Sequence, residues 1–184
     1  MRLNDPLVTS FVFDGHEYKI DLAFDNVLNA LSVFDEIDLR DYEKADIALA
    51  LLVGVEYQAN TNDLWNYVCE TFIHVEDKRS IEYDRKGNPM PVQKESKQSI
   101  DFNKDAEFIF ASFMQAYRVD LFKEQGSLQW SQFKALLSGL PSDTIMQRIV
   151  QIRLYEPSKG ESGEYKQAMR DLQNAYSLEE IEEE

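Results

Sequence analysis

Apolar residues recur every three or four positions along most of this chain, in runs soon cut short by a capping residue or a Gly/Pro break. That spacing puts them on one face of an α-helix, and the interruptions allow only short helices joined by tight turns. The expected fold is mainly α, with short helices in an orthogonal bundle. The exception is the start, roughly residues 1–21, which predicts a β-hairpin. Phe11 and Phe13 alternate with Val12, Asp14-Gly15 offers the positive-φ pair of a two-residue turn, and Tyr18 and Ile20 resume the alternation. An isolated hairpin is marginal in water, so its apolar face must lie against helices or a partner.

Three helices are expected next. Leu22 to Ile37 carries Val27, Leu28, Leu31 and Phe34 at helical spacing. Asp41 is placed to cap a second helix whose Ile47, Leu51 and Val55 form one stripe, with Ala48 and Leu52 beside it. Thr61-Asn62-Asp63 opens a third, with Leu64, Trp65, Val68, Cys69, Phe72 and Ile73. From 74 to 99 the pattern stops, and Gly87, Pro89 and Pro91 mark a long loop in which Ile81-Glu82-Tyr83 is a minor strand candidate returning over Val92. Asp101 then caps a helix bearing Ala106, Ile109, Phe110, Phe113, Met114 and Tyr117. Ser127 caps another with Leu128, Trp130, Phe133, Leu136 and Leu137, which Gly139-Leu140-Pro141 ends. Ser142 caps a third, with Ile145, Met146, Ile149, Val150 and Ile152 inward. The expected core aromatics and aliphatics are Trp65, Phe72, Phe110, Phe113, Tyr117, Trp130, Phe133 and Leu137.

Residues 1–156 thus read as one helical domain with its hairpin and the 74–99 loop. Residues 157–184 read as a linker, a tethered amphipathic helix and an acidic tail, Glu179 to Glu184. In that helix Tyr165, Met169, Leu172 and Tyr176 share a face, and the tether would let them dock on a neighbour. These four residues are the candidate partner-binding site. The competing reading is that the face folds back on its own bundle.

Charge narrows the function classes. The net charge is −15; residues 1–60 carry 12 acids against 4 bases, and the last eight residues hold five glutamates and no base. Such a field repels phosphate backbones and keeps sticky apolar surface soluble, so no nucleic-acid partner is expected. No apolar run approaches the roughly 20 residues of a membrane helix, and the opening lacks the basic and apolar regions of an export signal. A single cysteine excludes an internal disulfide and suits a reducing cytosol.

A search for chemistry returns no catalytic, cofactor-binding or metal-ligating candidates. The two histidines, His16 and His74, fall at a turn and a helix end, and no nucleophile pattern adjoins either. Cys69, among Val68, Phe72 and Ile73, reads as a core thiol. Asp35, Glu36, Asp38 and Asp41 lack the glycine and closing glutamate of a calcium loop and read as a solvated turn. The basic residues within Asp84-Arg85-Lys86-Gly87-Asn88 are nearly offset by neighbouring acids. No glycine-rich phosphate loop is present.

Residues 101–153 carry a specific series: an acidic helix start, Phe110-Ala111-Ser112-Phe113, Gln115, Tyr117, Glu124-Gln125-Gly126, Trp130, Phe133, Gly139-Leu140-Pro141, Asp143-Thr144 and Ile152-Arg153. This block, together with the opening MRLNDPLVTSFVFDGHEYKIDLAFDNVL, resembles the bacteriophage gene-product-fifteen family over about half the chain. Two positions depart from it: Ser131, where many relatives carry a second aromatic, and Arg118, where they carry glycine. The resemblance implies a non-catalytic chaperone role in the tail morphogenesis of long-tailed phages, encoded near the tape measure gene. Its implied partners are the tape measure protein and the tail tube protein, with self-association or a second chaperone also open. The implied place is the host cytoplasm, without membrane contact and outside the mature virion. The alternatives are a minor structural tail or head-tail adaptor protein, and an acidic DNA mimic. The mimic is the weaker, because the acids concentrate in the first 60 residues and the tail.

Overall fold

The computed structural model describes residues 4–73 and 99–178. His74, nearly all of the expected 74–99 loop with its strand candidate, and the run Glu179 to Glu184 lie outside the described residues. In chain order the elements are strands β1 (Ser10–Phe13) and β2 (His16–Lys19), then helices α1 (Phe24–Ser32), α2 (Asp41–Leu52), α3 (Thr61–Val68), α4 (Ala106–Tyr117), α5 (Trp130–Ser138), α6 (Ile145–Arg153) and α7 (Gly163–Ala175). The chain is mainly α with an N-terminal antiparallel hairpin. It forms two compact units. The described part of the first is 4–73 with 121–138, and of the second 99–120 with 139–178.

In the first unit, Asp14 (φ 48°) and Gly15 (φ 78°) make the expected turn, pairing Phe11 with Tyr18 and Val12 with Glu17. Strand alternation buries Phe11 and Tyr18 and turns Val12 outward. Phe11 packs on Tyr67 at 5.7 Å and on Phe72 at 5.4 Å, so helical side chains cover the hairpin's apolar face. Helix α1 buries Phe24, Val27 and Ala30, then tightens into a 3₁₀ turn over Val33–Asp35. Arg40, not Asp41, is the N-cap of α2: its N–H donates to the Glu43 carboxylate at 2.9 Å, and Asp41 becomes the first helical residue, where a negative charge still suits the dipole. Asn60 caps α3 by accepting from the N–H groups of Asn62 and Asp63, and the helix widens into one π turn, Cys69–Ile73.

Helix α5 closes this unit. Phe24 N donates to Leu128 O at 2.9 Å and Trp130 N to Leu22 O at 2.7 Å, so a strand-like bridge precedes the helix. That bridge delays the helix start to Trp130, and Ser127 turns back to Glu124 O instead of capping it. Phe133 stacks on Phe24 at 5.0 Å and on Trp130 at 5.6 Å. Trp130 Nε1 and Lys134 Nζ both donate to Ile73 O, satisfying a carbonyl at the end of the π turn.

The second unit packs α4, α6 and α7. Asp101 accepts from the N–H groups of Asn103 and Lys104, one turn ahead of α4. The expected cap is displaced because Asp105, at the true N-cap, has its carboxylate committed elsewhere. Helix α6 begins after Thr144, whose hydroxyl is spent on Pro141 O, so Ser142 is not its cap. The buried Ser112 of α4 serves instead, its Oγ accepting from Met146 N at 3.1 Å. One helix thus supplies the N-terminal cap of another. Of the eight expected core residues, Phe113, Trp130, Phe133 and Leu137 are buried; Trp65, Phe72, Phe110 and Tyr117 are half-buried at the rims.

Candidate partner-binding surfaces

The expected site on α7 is a helix docked on its own unit by its edges. Ser162 Oγ accepts from Tyr165 N at 3.1 Å and starts the helix. The preceding 157–163 stretch is pinned: the Glu161 carboxylate accepts from Tyr155 Oη and, at 3.1 Å, from Ser158 N. That pairing pushes the Tyr155 hydroxyl up to about 12 and holds Glu161 below the usual carboxylate range. At the far end, Gln173 Nε2 donates to Tyr155 O at 3.0 Å, Arg153 Nε to Tyr176 O at 2.7 Å and Lys104 Nζ to Leu178 O at 2.8 Å. Tyr165 meets Tyr155 edge-on, and Tyr176 meets Phe108. Yet no residue of α7 is buried. Tyr165 is 50% and Leu172 39% exposed, while Met169 and Tyr176 are half-covered. The four residues do share one helix, and its face is divided between the unit's own rings and solvent.

Beneath this lies the polar centre of the unit. Arg153 grips Asp105 through two hydrogen bonds of 2.6 and 2.7 Å, with Asp105 1% exposed. The same guanidinium donates to Ser99 O and Tyr176 O. A planar fork with five donors is what one such junction of a carboxylate and two carbonyls requires. The arrangement is a structural clamp joining the start of α4, the end of α6 and the end of α7.

Helix α2 presents a second apolar surface. Ala45, Ala48, Leu49 and Leu52 are buried, whereas Ile47, Leu51 and Val55 are 40%, 41% and 82% exposed. Ile47 and Leu51 lie outward because every residue of 47–52 is apolar, so periodicity does not fix the phase, and small alanines make the closer packing face; Val55 lies past the helix end. Asn26 Nδ2 donates to Leu51 O at 3.0 Å, and Tyr57 Oη bonds the Asp46 carboxylate. Burial first, and then that bond, raises the Tyr57 hydroxyl above its ordinary value.

The residues weighed for chemistry are dispersed. Cys69 is buried, and burial, followed by the charge of Glu70, pushes its thiol up to about 11, far from a nucleophile at neutral pH. His16 is exposed, its ring nitrogen 3.0 Å from Asp14 O. Asp35, Glu36, Asp38 and Asp41 are all exposed, and among the described residues no three His, Cys, Asp or Glu side chains gather as metal ligands would. No helix of the described residues is long and apolar enough to cross a membrane.

Two half-exposed apolar helix faces stand on an acidic chain, one in each unit. The family model described as "Bacteriophage Gp15 protein" matches residues 3–178, and the chain belongs to that family. No curated protein and no solved structure matches it significantly.

Proposed function

We propose that this phage protein is a non-catalytic chaperone of tail morphogenesis, which holds the tape measure protein, the tail tube protein or both during assembly and leaves before the particle is finished. The observation that carries this reading is the exposure of apolar helix faces on a chain of net charge −15. A tape measure is a long helix whose apolar stripes aggregate when bare. An acidic protein with modest apolar ridges covers such stripes reversibly, because contact over a small area gives an affinity that polymerising tube subunits can outcompete. The negative field keeps copies of the chaperone from adhering to one another. Membership of the phage family and the buried thiol of Cys69, pushed up to about 11, fit the same picture.

The test is co-expression with the tape measure protein of the same genome, followed by affinity capture and by mass spectrometry of purified particles. Co-capture together with absence from the particle is the expected result. Stoichiometric presence in the particle would overturn it in favour of a structural tail or adaptor protein.

A further inference from the structure

We infer that the outer face of α2, the ridge of Ile47 and Leu51 with the exposed Val55 just past the helix end, is the docking surface for a basic amphipathic helix of a partner polypeptide. The inference deepens the proposed holding function, and rests on it, by naming the surface and the chemistry of what is held.

A helix segment that is apolar on all sides, as 47–52 of α2 is, is ordinarily covered on all sides. The inner side of α2 satisfies that rule, with Ala48 and Leu49 fully buried, while Ile47 and Leu51 stand four residues apart on the uncovered side. Two side chains at that spacing form the ridge that fits between the ridges of another helix. Charge then selects the occupant. Between 35 and 56 there are seven acids and two bases, and both bases are already engaged: Lys44 Nζ donates to Phe34 O at 3.0 Å, and Arg40 lies over the Tyr42 ring. Asp46 on the helix and Glu56 beside Val55 are exposed. A second copy of this chain would bring the same negative rim against itself, at a cost in like-charge repulsion. Lysines or arginines flanking an apolar stripe meet the rim with opposite charge, and their aliphatic stems extend the apolar contact.

Fluorescence anisotropy on the full chain tests this. The probe is a labelled peptide of lysine and leucine about five turns long with a single apolar stripe. Its controls are a peptide of the same composition with scrambled leucines and one with glutamate for lysine. The striped basic peptide should bind, and the Ile47→Ser/Leu51→Ser protein should hold it at least about tenfold more weakly. Asp46→Asn/Glu56→Gln should weaken binding and flatten its salt dependence. Should the double serine variant lose its helical circular dichroism, Ile47→Ala/Leu51→Ala, which keeps strong helix formers at both positions, carries the same comparison. Equal binding by wild type and the ridge variants, no binding at all, or a preference for the acidic peptide would overturn the inference. So would self-association by sedimentation that disappears in the ridge variant, since the occupant is then a second copy. Tape measure captured equally by wild type and ridge variant sinks the inference and spares the holding function. A wild type that binds the peptide through this ridge but captures no tape measure does the reverse.

Discussion

The first unit is closed by rings and aliphatic side chains: Phe11 among Tyr18, Tyr67 and Phe72, and Phe24 stacked with Phe133 beside Trp130. The second also buries Ile109, Phe113, Met146 and Ile149, but adds directed polar bonds at its centre, the Asp105–Arg153 clamp and the Ser112 hydroxyl capping α6, and carries an outer helix with no buried residue of its own. Burial of apolar surface is non-directional, so the first unit tolerates repacking but loses stability when volume is removed. A buried ion pair is worth little against a well-packed apolar substitute, yet removing one partner leaves a charge with no compensation. The two units should therefore fail in different ways.

Arg153→Met puts the greatest strain on this contrast. It leaves Asp105 buried without its ion-pair partner and should cost about 3–5 kcal/mol, part of it recovered in Asp105→Leu/Arg153→Met, which still strands the Ser99 and Tyr176 carbonyls. Hydrogen exchange should show protection falling in residues 99–120 and 139–178, and equal loosening in the first unit would erase the distinction. Leu49→Ala should remove about 3 kcal/mol through transfer and cavity terms, with protection falling first in residues 4–73 and 121–138. Arg118→Gly sharpens the picture of the second unit. Arg118 ends α4 at φ 56°, a left-handed conformation suited to glycine, so the change should raise stability by about 1 kcal/mol in a urea melt.

The smallest effect is electrostatic and local to the 157–163 stretch. The bond of Tyr155 to Glu161 requires a protonated phenol and an ionised carboxylate. The folded phenol titrates above its ordinary 10.0, so its contribution is complete below pH 10.0 and disappears as pH rises through about 12. The folded carboxyl titrates below its ordinary 4.5, so its contribution is present above pH 4.5 and disappears as pH falls through the lowered value. Ultraviolet titration should show a late-ionising tyrosine that Glu161→Gln moves back toward 10.0.

Much of this was legible where local chemistry decides. Asp14-Gly15 specifies its hairpin turn through backbone sterics alone, and the four-residue face of α7 follows from periodicity. Caps were legible only to within a few residues, because Asp105, Ser127 and Thr144 each spend their side chains on partners that tertiary packing supplies. The phase of α2 was hidden, since Ile47 and Leu49 are equally apolar and only packing distinguishes them. The clamp was hidden too: 48 positions separate Arg153 from Asp105, and nothing local to either announces the other. The C-terminal helix reads as tethered because glycine, serine and proline usually mark loose chain, yet Glu161 within that stretch ties it down.

The bridge of 22–24 to 128–130 also sets a schedule for a chain growing on the ribosome. Asp25 accepts from Gly126 N across 101 positions, so α1 emerges long before the helix that covers it. At about 5–20 residues per second, Phe24 and its neighbours wait roughly 5–20 s for Phe133. A nascent protein of this kind passes through an interval in which it needs shelter itself, and a message truncated near codon 120 would yield a first unit that never closes.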